Sequence, residues 1–427
     1  MISLMRVAVL VVAGLMLAAA GEPQTVETPI SNPQALAPFF EAQAGDGPLR
    51  ILHIGDSHIA RDTFSGDLRS LLGDERGAGG RGMLPPGTVY AFFQARGVEL
   101  DMSEGWEIFR ARDEEASGPF GVMSARVTAR AGTSPWIALS GIEPAAERLL
   151  IGYMRHPDGG VVQVRVDAAL HAIPTNRAAG PAFAALAIPE GTQIIRLAAA
   201  GDGDVTLTSL VLEADRDGVT LSNAGWPGAT AEIMARWDDT VLRTELGRLE
   251  PHLIIVGYGT NEGFDDALDL AAYEAVLRDQ LLRLKRFAPG AALLLTGGPD
   301  GTRLPLYADT ESREPDEWAC AQLSDDERAE YQSLLEAKST GLLRWHAPPQ
   351  FDALLALQKR VAVDAGAAHW DWRAAMGGAC SIHDWRLAEP QWAKPDHVHL
   401  TAEGYAASAA VLRKALNGAF VAWDTVR

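Results

Sequence analysis

A serine in a turn of small residues follows an apolar run early in the chain. Residues 51–54 are mostly apolar and predict a buried parallel strand, and Gly55, Asp56 and Ser57 come directly after it. Ligands of open parallel sheets bind at the carboxyl ends of the strands, so Ser57 stands where a nucleophile would be placed. A serine there can attack an ester if its hydroxyl is activated and the oxyanion that forms is stabilised.

Residues that could activate this serine occur far along the chain. Asp396 and His399 are three residues apart, so one loop can carry both. The carboxylate would hold the imidazole in one tautomer while the other ring nitrogen takes the proton of Ser57. Asn261 follows a second apolar run, 253–256, and its side-chain amide could donate to an oxyanion. Each segment taken alone could instead be an ordinary turn or helix cap.

In this order, the segments resemble the motif blocks of the SGNH/GDSL hydrolase superfamily. The glycine block of that superfamily is matched by 223–228, with Gly225 as its glycine, and the asparagine block by Asn261. The resemblance implies Ser57 as nucleophile, His399 as base and Asp396 as the residue that orients it. It also implies an oxyanion hole made by the backbone N–H groups of Ser57 and Gly225 and the amide of Asn261.

The elements that would position these residues form two kinds of pattern. Residues 48–96 and 217–427 alternate apolar strands with amphipathic helices, which predicts a parallel sheet covered on both sides, the three-layer α/β/α fold of the superfamily. Between them, 97–216 carries short alternating or β-branched runs separated by turn residues, which predicts an antiparallel β-sandwich. Its position, between the serine block and the glycine block, predicts an inserted domain.

An esterase with a β-sandwich inserted at this point is similar to the bacterial peptidoglycan O-acetylesterases, whose insert resembles a carbohydrate-binding module. The resemblance implies that an acetyl group leaves the C6 oxygen of a muramoyl residue through an acetyl-enzyme on Ser57. An O-acetylated glycan is the expected partner, and no cofactor or metal is expected. One alternative is a polysaccharide O-acetyltransferase with the same triad, and the other is a non-catalytic glycan-binding or assembly protein.

The beginning of the chain predicts export. A basic start ending at Arg6 is followed by an apolar stretch, 7–17, and three alanines, so that 1–20 is expected to be a signal peptide. Residues 21–47, rich in Pro, Gln, Thr and Glu, are expected to be an exposed lead-in. The mature protein is then expected to be secreted or periplasmic, without a membrane span.

Composition narrows the choice of partners. The formal net charge of −19 disfavours nucleic acid as a ligand, and local groups would have to hold any anionic glycan.

The chain has two cysteines, Cys320 and Cys380. An oxidising compartment permits a disulfide between them, and two separate buried thiols are the alternative.

Aromatic and histidine side chains also crowd the motif blocks. His58 and His397 adjoin the triad positions and are expected to be loop residues, although His58 could shape the mouth of a pocket. Exposed tryptophans could stack on sugar rings, but core packing is the more ordinary expectation. The tryptophans concerned are Trp226, Trp370, Trp372, Trp385 and Trp392.

Overall fold

The computed structural model describes residues 23–214 and 217–427, so the predicted signal peptide, 1–20, lies outside the described residues. In chain order, the strands are β1 (Pro48–Gly55), β2 (Gly82–Leu84), β3 (Glu99–Met102), β4 (Trp106–Arg110), β5 (Ala125–Ala129), β6 (Trp136–Ser140), β7 (Arg148–Arg155), β8 (Val161–Val166), β9 (Ala169–Pro174), β10 (Gly180–Ala187), β11 (Ile194–Ala199), β12 (Val205–Glu213), β13 (Gly218–Gly225), β14 (Leu253–Gly257), β15 (Ala292–Thr296) and β16 (Ala368–Trp370). The helices are α1 (Ala37–Ala44), α2 (Ser57–Ala60), α3 (Thr63–Arg76), α4 (Asp239–Leu249), α5 (Thr260–Gly263), α6 (Leu270–Phe287), α7 (Asp325–Ala329), α8 (Tyr331–Glu336), α9 (Phe351–Asp364), α10 (Trp372–Met376), α11 (Ser381–Leu387) and α12 (Ala402–Asp424).

A five-stranded parallel sheet, in the order β13-β1-β14-β15-β16, forms the centre of the α/β part. Successive strand residues point to opposite faces, so Ile51 of β1 packs with α1, α3 and α12, whereas Leu52 packs with α4, α6 and α9. Both faces are apolar because both are covered by helices. The predicted three-layer α/β/α architecture is confirmed.

The inserted segment folds into two antiparallel sheets. One has the order β10-β7-β12-β5-β4, with β2 also paired to β12, and the other has the order β3-β6-β11-β8-β9. Apolar side chains of both sheets, among them Val127, Leu207, Ile137 and Leu197, share one buried core. The predicted antiparallel sandwich is therefore present. Strand β2 lies before residue 97, so the sandwich recruits residues from the segment assigned to the α/β part.

Residues 120–124 dock the sandwich onto the α/β part. The indole Nε1 of Trp226 donates to the Met123 carbonyl at 2.7 Å, and that of Trp237 donates to the Ser124 hydroxyl at 2.8 Å. The Val122 N–H donates to the carboxyl group of Glu245 on α4 at 2.6 Å. Apolar residues on both sides of this junction belong to one continuous buried cluster, so the two parts are packed as a unit.

The expected exposed lead-in over 21–47 is wrong for its second half. Phe39 and Phe40 on α1 are fully buried, and the ring of Phe40 contacts Phe420 and Trp423 of α12 at centroid distances of 5.7 and 5.8 Å. Although the segment as a whole is polar, the burial of these two aromatic side chains stabilises the packing of α1 against α12.

Two further findings concern the helices and the cysteines. Within residues 23–214 and 217–427, no helix combines the length and the apolar character that a membrane crossing requires. Cys320 and Cys380 are joined by a disulfide, which ties the irregular segment after β15 to the start of α11.

Candidate active site

Three glycines at the carboxyl ends of adjacent strands provide the floor for Ser57. Gly225, Gly55 and Gly257 lie in register across β13, β1 and β14. A Cβ atom on Gly55 would lie 2.4 Å from Cγ1 of Ile59, and one on Gly225 would lie 2.3 Å from the Ala60 nitrogen. Only glycine lets the short helix α2 rest directly on the strand ends, which brings Ser57 to the sheet edge predicted from the sequence.

Asp56 fixes the start of α2. Its carboxylate accepts the His58 N–H at 2.9 Å, and its own N–H donates to the Gly257 carbonyl at 3.1 Å. Burial raises the pKa of Asp56 to about 6, and the hydrogen bonds it accepts act against that rise. Among the described residues, the Ser57 N–H has no hydrogen-bond partner, so it is available to a ligand.

The structure brings together the three residues predicted to form a triad. Ser57 Oγ lies 2.9 Å from His399 Nε2, and His399 Nδ1 lies 2.8 Å from Asp396 Oδ2. Ser57 and His399 are half-buried, so the serine hydroxyl remains accessible. Both ring nitrogens of one imidazole are thus engaged, one by a hydroxyl and the other by a carboxylate, which is the arrangement that general-base activation of a serine needs.

The Asp396 carboxylate is held by its own loop. Its Oδ1 accepts the N–H groups of Val398 and His399 at 3.0 and 2.9 Å, so the carboxylate and the imidazole are fixed in one turn. Burial alone would raise the pKa of Asp396, but these bonds and the one from the His399 ring hold that pKa well below its ordinary value. The carboxylate therefore stays ionised and can stabilise an imidazolium.

His397, expected as a loop residue, lies in this turn but is fully buried. Its ring stacks on Trp345 at a centroid distance of 3.6 Å, and its Nε2 lies 3.0 Å from Nδ1 of His383. Burial lowers the pKa of His397 to about 4, so the ring is neutral near pH 7. We name these three rings, Trp345, His397 and His383, the histidine stack; it supports the loop of Asp396 and His399 from behind.

His397 is thus a loop residue as expected, whereas His58 is not. It belongs to α2, is buried, and its Nδ1 lies 3.0 Å from the Tyr405 hydroxyl on α12. Burial, followed by the nearby His399, lowers the pKa of His58 well below its ordinary value, so this ring is neutral. The pair ties α12 to the helix that carries Ser57 and does not form the mouth of a pocket. The separation of 347 residues gave no sequence signal for this contact.

Asn261 and Gly225 differ in whether they can donate a hydrogen bond at the site. Asn261 is on α5, directly after β14, and one hydrogen of its amide goes to the Ala229 carbonyl at 2.8 Å, which leaves the other hydrogen for a ligand. The Trp226 N–H donates to the Gly55 carbonyl at 2.9 Å. Because successive strand amides point to opposite sides, the Gly225 N–H points away from β1 and Ser57. This corrects the expectation that Gly225 donates to the oxyanion: it is a close-packing residue.

The turn after Gly225 offers another donor. Pro227 and Gly228 occupy the centre of a turn closed by the Ala229 N–H and the Trp226 carbonyl at 3.2 Å, and Gly228 has φ of +70°. Proline followed by a glycine with positive φ is the pattern of a type II turn. The Gly228 N–H makes no backbone hydrogen bond within the described part of the chain.

Four of the five tryptophans near the motif blocks pack in the core, as expected, and Trp392 is half-buried. Tyr90, which belongs to no motif, donates its hydroxyl to the Ala60 carbonyl at 2.6 Å and so supports α2. No group of three or more His, Cys, Asp or Glu residues in 23–214 and 217–427 is placed to hold a metal ion.

The fold has a counterpart among solved structures. A peptidoglycan O-acetylesterase superimposes with a TM-score of 0.70 and 23% identity over 90% of this chain and 96% of that chain. The chain shares the fold of that enzyme. A GDSL-like lipase from Parabacteroides merdae is 16% identical over 47% of this chain and 73% of that chain, with a TM-score of 0.31. A family two carbohydrate esterase from Clostridium thermocellum is 11% identical over 74% and 98%, with a TM-score of 0.30. A scan against protein-family models found no match, and neither did a search among curated proteins.

Proposed function

We propose that this protein is a serine esterase that removes O-acetyl groups from a cell-wall glycan, with peptidoglycan as the substrate. The observation that carries the proposal is the hydrogen-bonded line from Ser57 through His399 to Asp396 at the carboxyl edge of the parallel sheet. The fold shared with a peptidoglycan O-acetylesterase, insert included, supports the choice of substrate. The predicted signal peptide supports a location outside the cytoplasm, where such a glycan is found.

The reaction would proceed through an acetyl-enzyme. Ser57 Oγ attacks the acetyl carbonyl while its proton passes to His399 Nε2, and Asp396 stabilises the resulting imidazolium. When the tetrahedral intermediate collapses, the bond to the sugar oxygen breaks and His399 returns the proton to that oxygen. Water, deprotonated by His399, then attacks the acetyl-serine, and acetate leaves as Ser57 recovers its proton.

The oxyanion that forms in both steps needs donors that are fixed beforehand. We assign the Ser57 N–H and the remaining amide hydrogen of Asn261, since both are unused by the protein at the same sheet edge. The Gly228 N–H replaces that of Gly225 as the third donor, because the turn of Gly228 adjoins Asn261 through the Ala229 carbonyl. Losing one such donor typically lowers the rate by about 10²–10³.

Acetate release decides between the candidate activities. O-acetylated peptidoglycan and acetylated xylan are each incubated with the protein, with and without an unacetylated glycan acceptor. We expect acetate from peptidoglycan to exceed that from xylan, and the acceptor to leave the yield unchanged. An acceptor that gains acetyl groups at the expense of free acetate would identify an O-acetyltransferase. No acetate release and no transfer from any ester would overturn the enzymatic proposal.

A further inference from the structure

A groove crosses the outer face of the six-stranded sheet of the insert, away from the triad. It has a volume of about 520 Å³ and continues into a second groove of about 670 Å³ at the junction with the α/β part. The two grooves share residues of the insert, among them Pro119, Met154 and Gly180. Together they form one channel, which we name the insert groove.

The floor of the insert groove is built from one row across the sheet. Met154, Thr206 and Thr128 are paired neighbours on β7, β12 and β5, so they share a face. The hydroxyls of Thr206 and Thr128 lie 2.9 Å apart. Phe109 on β4 borders this row. The floor therefore combines hydroxyl groups with apolar surface.

In the part of the groove that lies over the sheet, two arginines, Arg155 and Arg126, have no carboxylate partner within the described residues. Arg155 lies at the end of β7, beside Gly180, where a Cβ would be 3.6 Å from its Nη2, and its buried Nε has no hydrogen-bond partner. Arg126 lies over the ring of Phe109 at 4.0 Å and donates to the Ser117 carbonyl. The acid in this part of the groove, Asp204, is already paired.

That pairing involves a third arginine. Arg130 contacts the carboxylates of Asp204 and Glu107 at 2.8 and 2.7 Å, so these acids do not neutralise the other two guanidinium groups. In a chain whose formal net charge is −19, such a cationic channel is a local exception. Guanidinium groups bind carboxylates in a planar, two-point geometry, so the channel fits a ligand that carries carboxylate groups.

The topology places one end of this channel at the same edge of the parallel sheet as Ser57. Helix α4 connects β13 to β14, so its N-terminus lies at the carboxyl edge of the parallel sheet. Trp237, Asp238 and Thr240, at that N-terminus, line the second part of the groove. Asp238 is a helix cap whose Oδ1 accepts two backbone N–H groups. A long chain bound at Ser57 can extend over the turn of Gly228 toward the groove.

We propose that the insert groove binds carboxylate groups of the polymeric glycan substrate, at a point removed from the ester that is cleaved. This inference rests on the proposed function for the identity of the polymer. The groove supplies the local positive charge that an acidic protein needs to hold an anionic polymer. Small esters, which cannot span from Ser57 to the insert, gain nothing from it.

Binding of the full-length protein to unacetylated peptidoglycan sacculi tests this inference, because no ester is present to be cleaved. Sedimentation is measured with native sacculi, with sacculi whose carboxyl groups have been amidated, and with uncharged chitin. We expect native sacculi to bind roughly 10-fold more tightly than the other two. Arg155→Gln should weaken binding to native sacculi by roughly 5- to 10-fold, and Arg126→Gln in the same protein should weaken it further.

Arg165→Gln is the matched control, since Arg165 is exposed on β8 in the other sheet and the substitution changes the charge equally. Thermal unfolding checks that each variant is folded. The proposal that the insert groove binds carboxylates would be overturned by equal binding of native and amidated sacculi. Equal binding by the Arg155→Gln and Arg165→Gln proteins would overturn it as well. Turnover of a small nitrophenyl acetate should be unchanged in Arg155→Gln. Carboxylate-dependent binding without any acetate release would refute the proposed function and leave the groove standing.

Discussion

At the scale of single residues, the proposed reactivity of Ser57 depends on two hydrogen bonds made by one imidazole. The bond to Ser57 provides a proton acceptor, and the bond to Asp396 selects the tautomer in which Nε2 is free to accept. Two backbone N–H groups keep the Asp396 carboxylate ionised, so no further side chain is needed for that purpose. Each member of the line therefore has a separate task that substitution can isolate.

Replacing the triad members should abolish turnover in a graded order. Ser57→Ala and His399→Ala should each lower kcat on a nitrophenyl acetate by roughly 10⁴-fold or more, because nucleophile and base act as a unit. Asp396→Asn should retain more activity, because the carboxylate orients and stabilises without exchanging a proton. Circular dichroism and thermal unfolding confirm that the variants are folded. Near wild-type turnover in folded Ser57→Ala would refute the mechanism.

Asn261→Ala tests the oxyanion hole. In the proposed oxyanion hole its amide would bond more strongly to the oxyanion than to the ground-state carbonyl, so kcat should fall by roughly 10²–10³ while KM changes little. The same substitution also removes the bond to the Ala229 carbonyl, so thermal unfolding is measured alongside the kinetics. Asn261→Asp keeps the volume and serves as a second variant. An unchanged kcat in either protein would remove Asn261 from the reaction.

The sequence predicted the triad better than it predicted the role of the glycine block. Serine, histidine and aspartate each have side-chain chemistry that limits the roles they can take. A glycine contributes only its backbone, and the direction of its N–H depends on which strand it pairs with. The pairing of Gly225 with Gly55 turns that N–H away from the site, which no spacing of residue types reveals.

At the scale of secondary structure, the triad relies on the element that carries Asp396 and His399. This segment is a loop between α11 and α12, and loops are mobile unless something fixes them. The histidine stack supplies that support from one side, and the disulfide anchors the start of α11 to Cys320. We therefore propose that His397 is a positioning residue, which would act on the reaction through the geometry of its neighbours.

His397→Ala should loosen this loop and lower kcat by roughly 10- to 100-fold with KM nearly unchanged, because small displacements of catalytic groups reduce rates strongly. His397→Phe keeps the stacking on Trp345 and should restore part of the loss. His171→Ala, at an exposed position on β9, is the control. A fall in thermal stability with full kcat in the folded fraction would show that His397 is structural only.

The sequence predicted the elements unevenly, for a physical reason. The apolar runs 51–54 and 253–256 lie within β1 and β14, because a strand that is covered on both faces is apolar along its length. Strand β9 is almost entirely exposed at the edge of its sheet, so it lacks the alternation that marks a half-buried strand. The sequence does not predict helix α1, because this helix is short and its burial depends on α12, which lies at the other end of the chain.

At the scale of the whole molecule, the insert and the α/β part cannot be separated cleanly. Strand β2 pairs with β12 of the insert, and the indoles of Trp226 and Trp237 bond to residues 123 and 124. Excising 97–216 would expose this junction and remove the partners of both indoles. Loss of activity in such a deletion would therefore not show that the insert binds substrate, whereas single arginine substitutions in the groove leave the junction intact.

The junction also contains a buried acid, Glu245 on α4. Its Oε2 accepts the Val122 N–H, its Oε1 has no partner, and a Cβ on Gly121 would overlap the carboxyl group at 2.1 Å. Burial raises the pKa of Glu245 to about 8, well above its ordinary value of 4.5. Between these two pH values the folded protein binds more protons than the unfolded chain. Stability should therefore fall as pH rises from about 4.5 to about 8.

Glu245→Gln tests whether this acid makes docking of the insert sensitive to pH. Glutamine cannot ionise, yet its carbonyl oxygen can still accept the Val122 N–H. We expect similar unfolding free energies for variant and wild type near pH 5, and a variant more stable by roughly 1–3 kcal/mol at pH 8, measured by urea unfolding. Asp56 and Glu262, whose pKa values burial raises to about 6 and about 7, act in the same direction but are present in both proteins.

Glu232→Gln, at an exposed position, makes the same change in net charge and should leave the pH profile as it is in the wild type. If the Glu245→Gln and Glu232→Gln proteins show parallel profiles from pH 5 to pH 8, Glu245 does not titrate with a raised pKa. The carboxyl group would then be ionised in the junction at neutral pH. If the unfolding free energy varies less with pH in Glu245→Gln alone, alkaline pH weakens the contact between α4 and residues 120–124. That contact holds the insert, and with it the insert groove, against the α/β part.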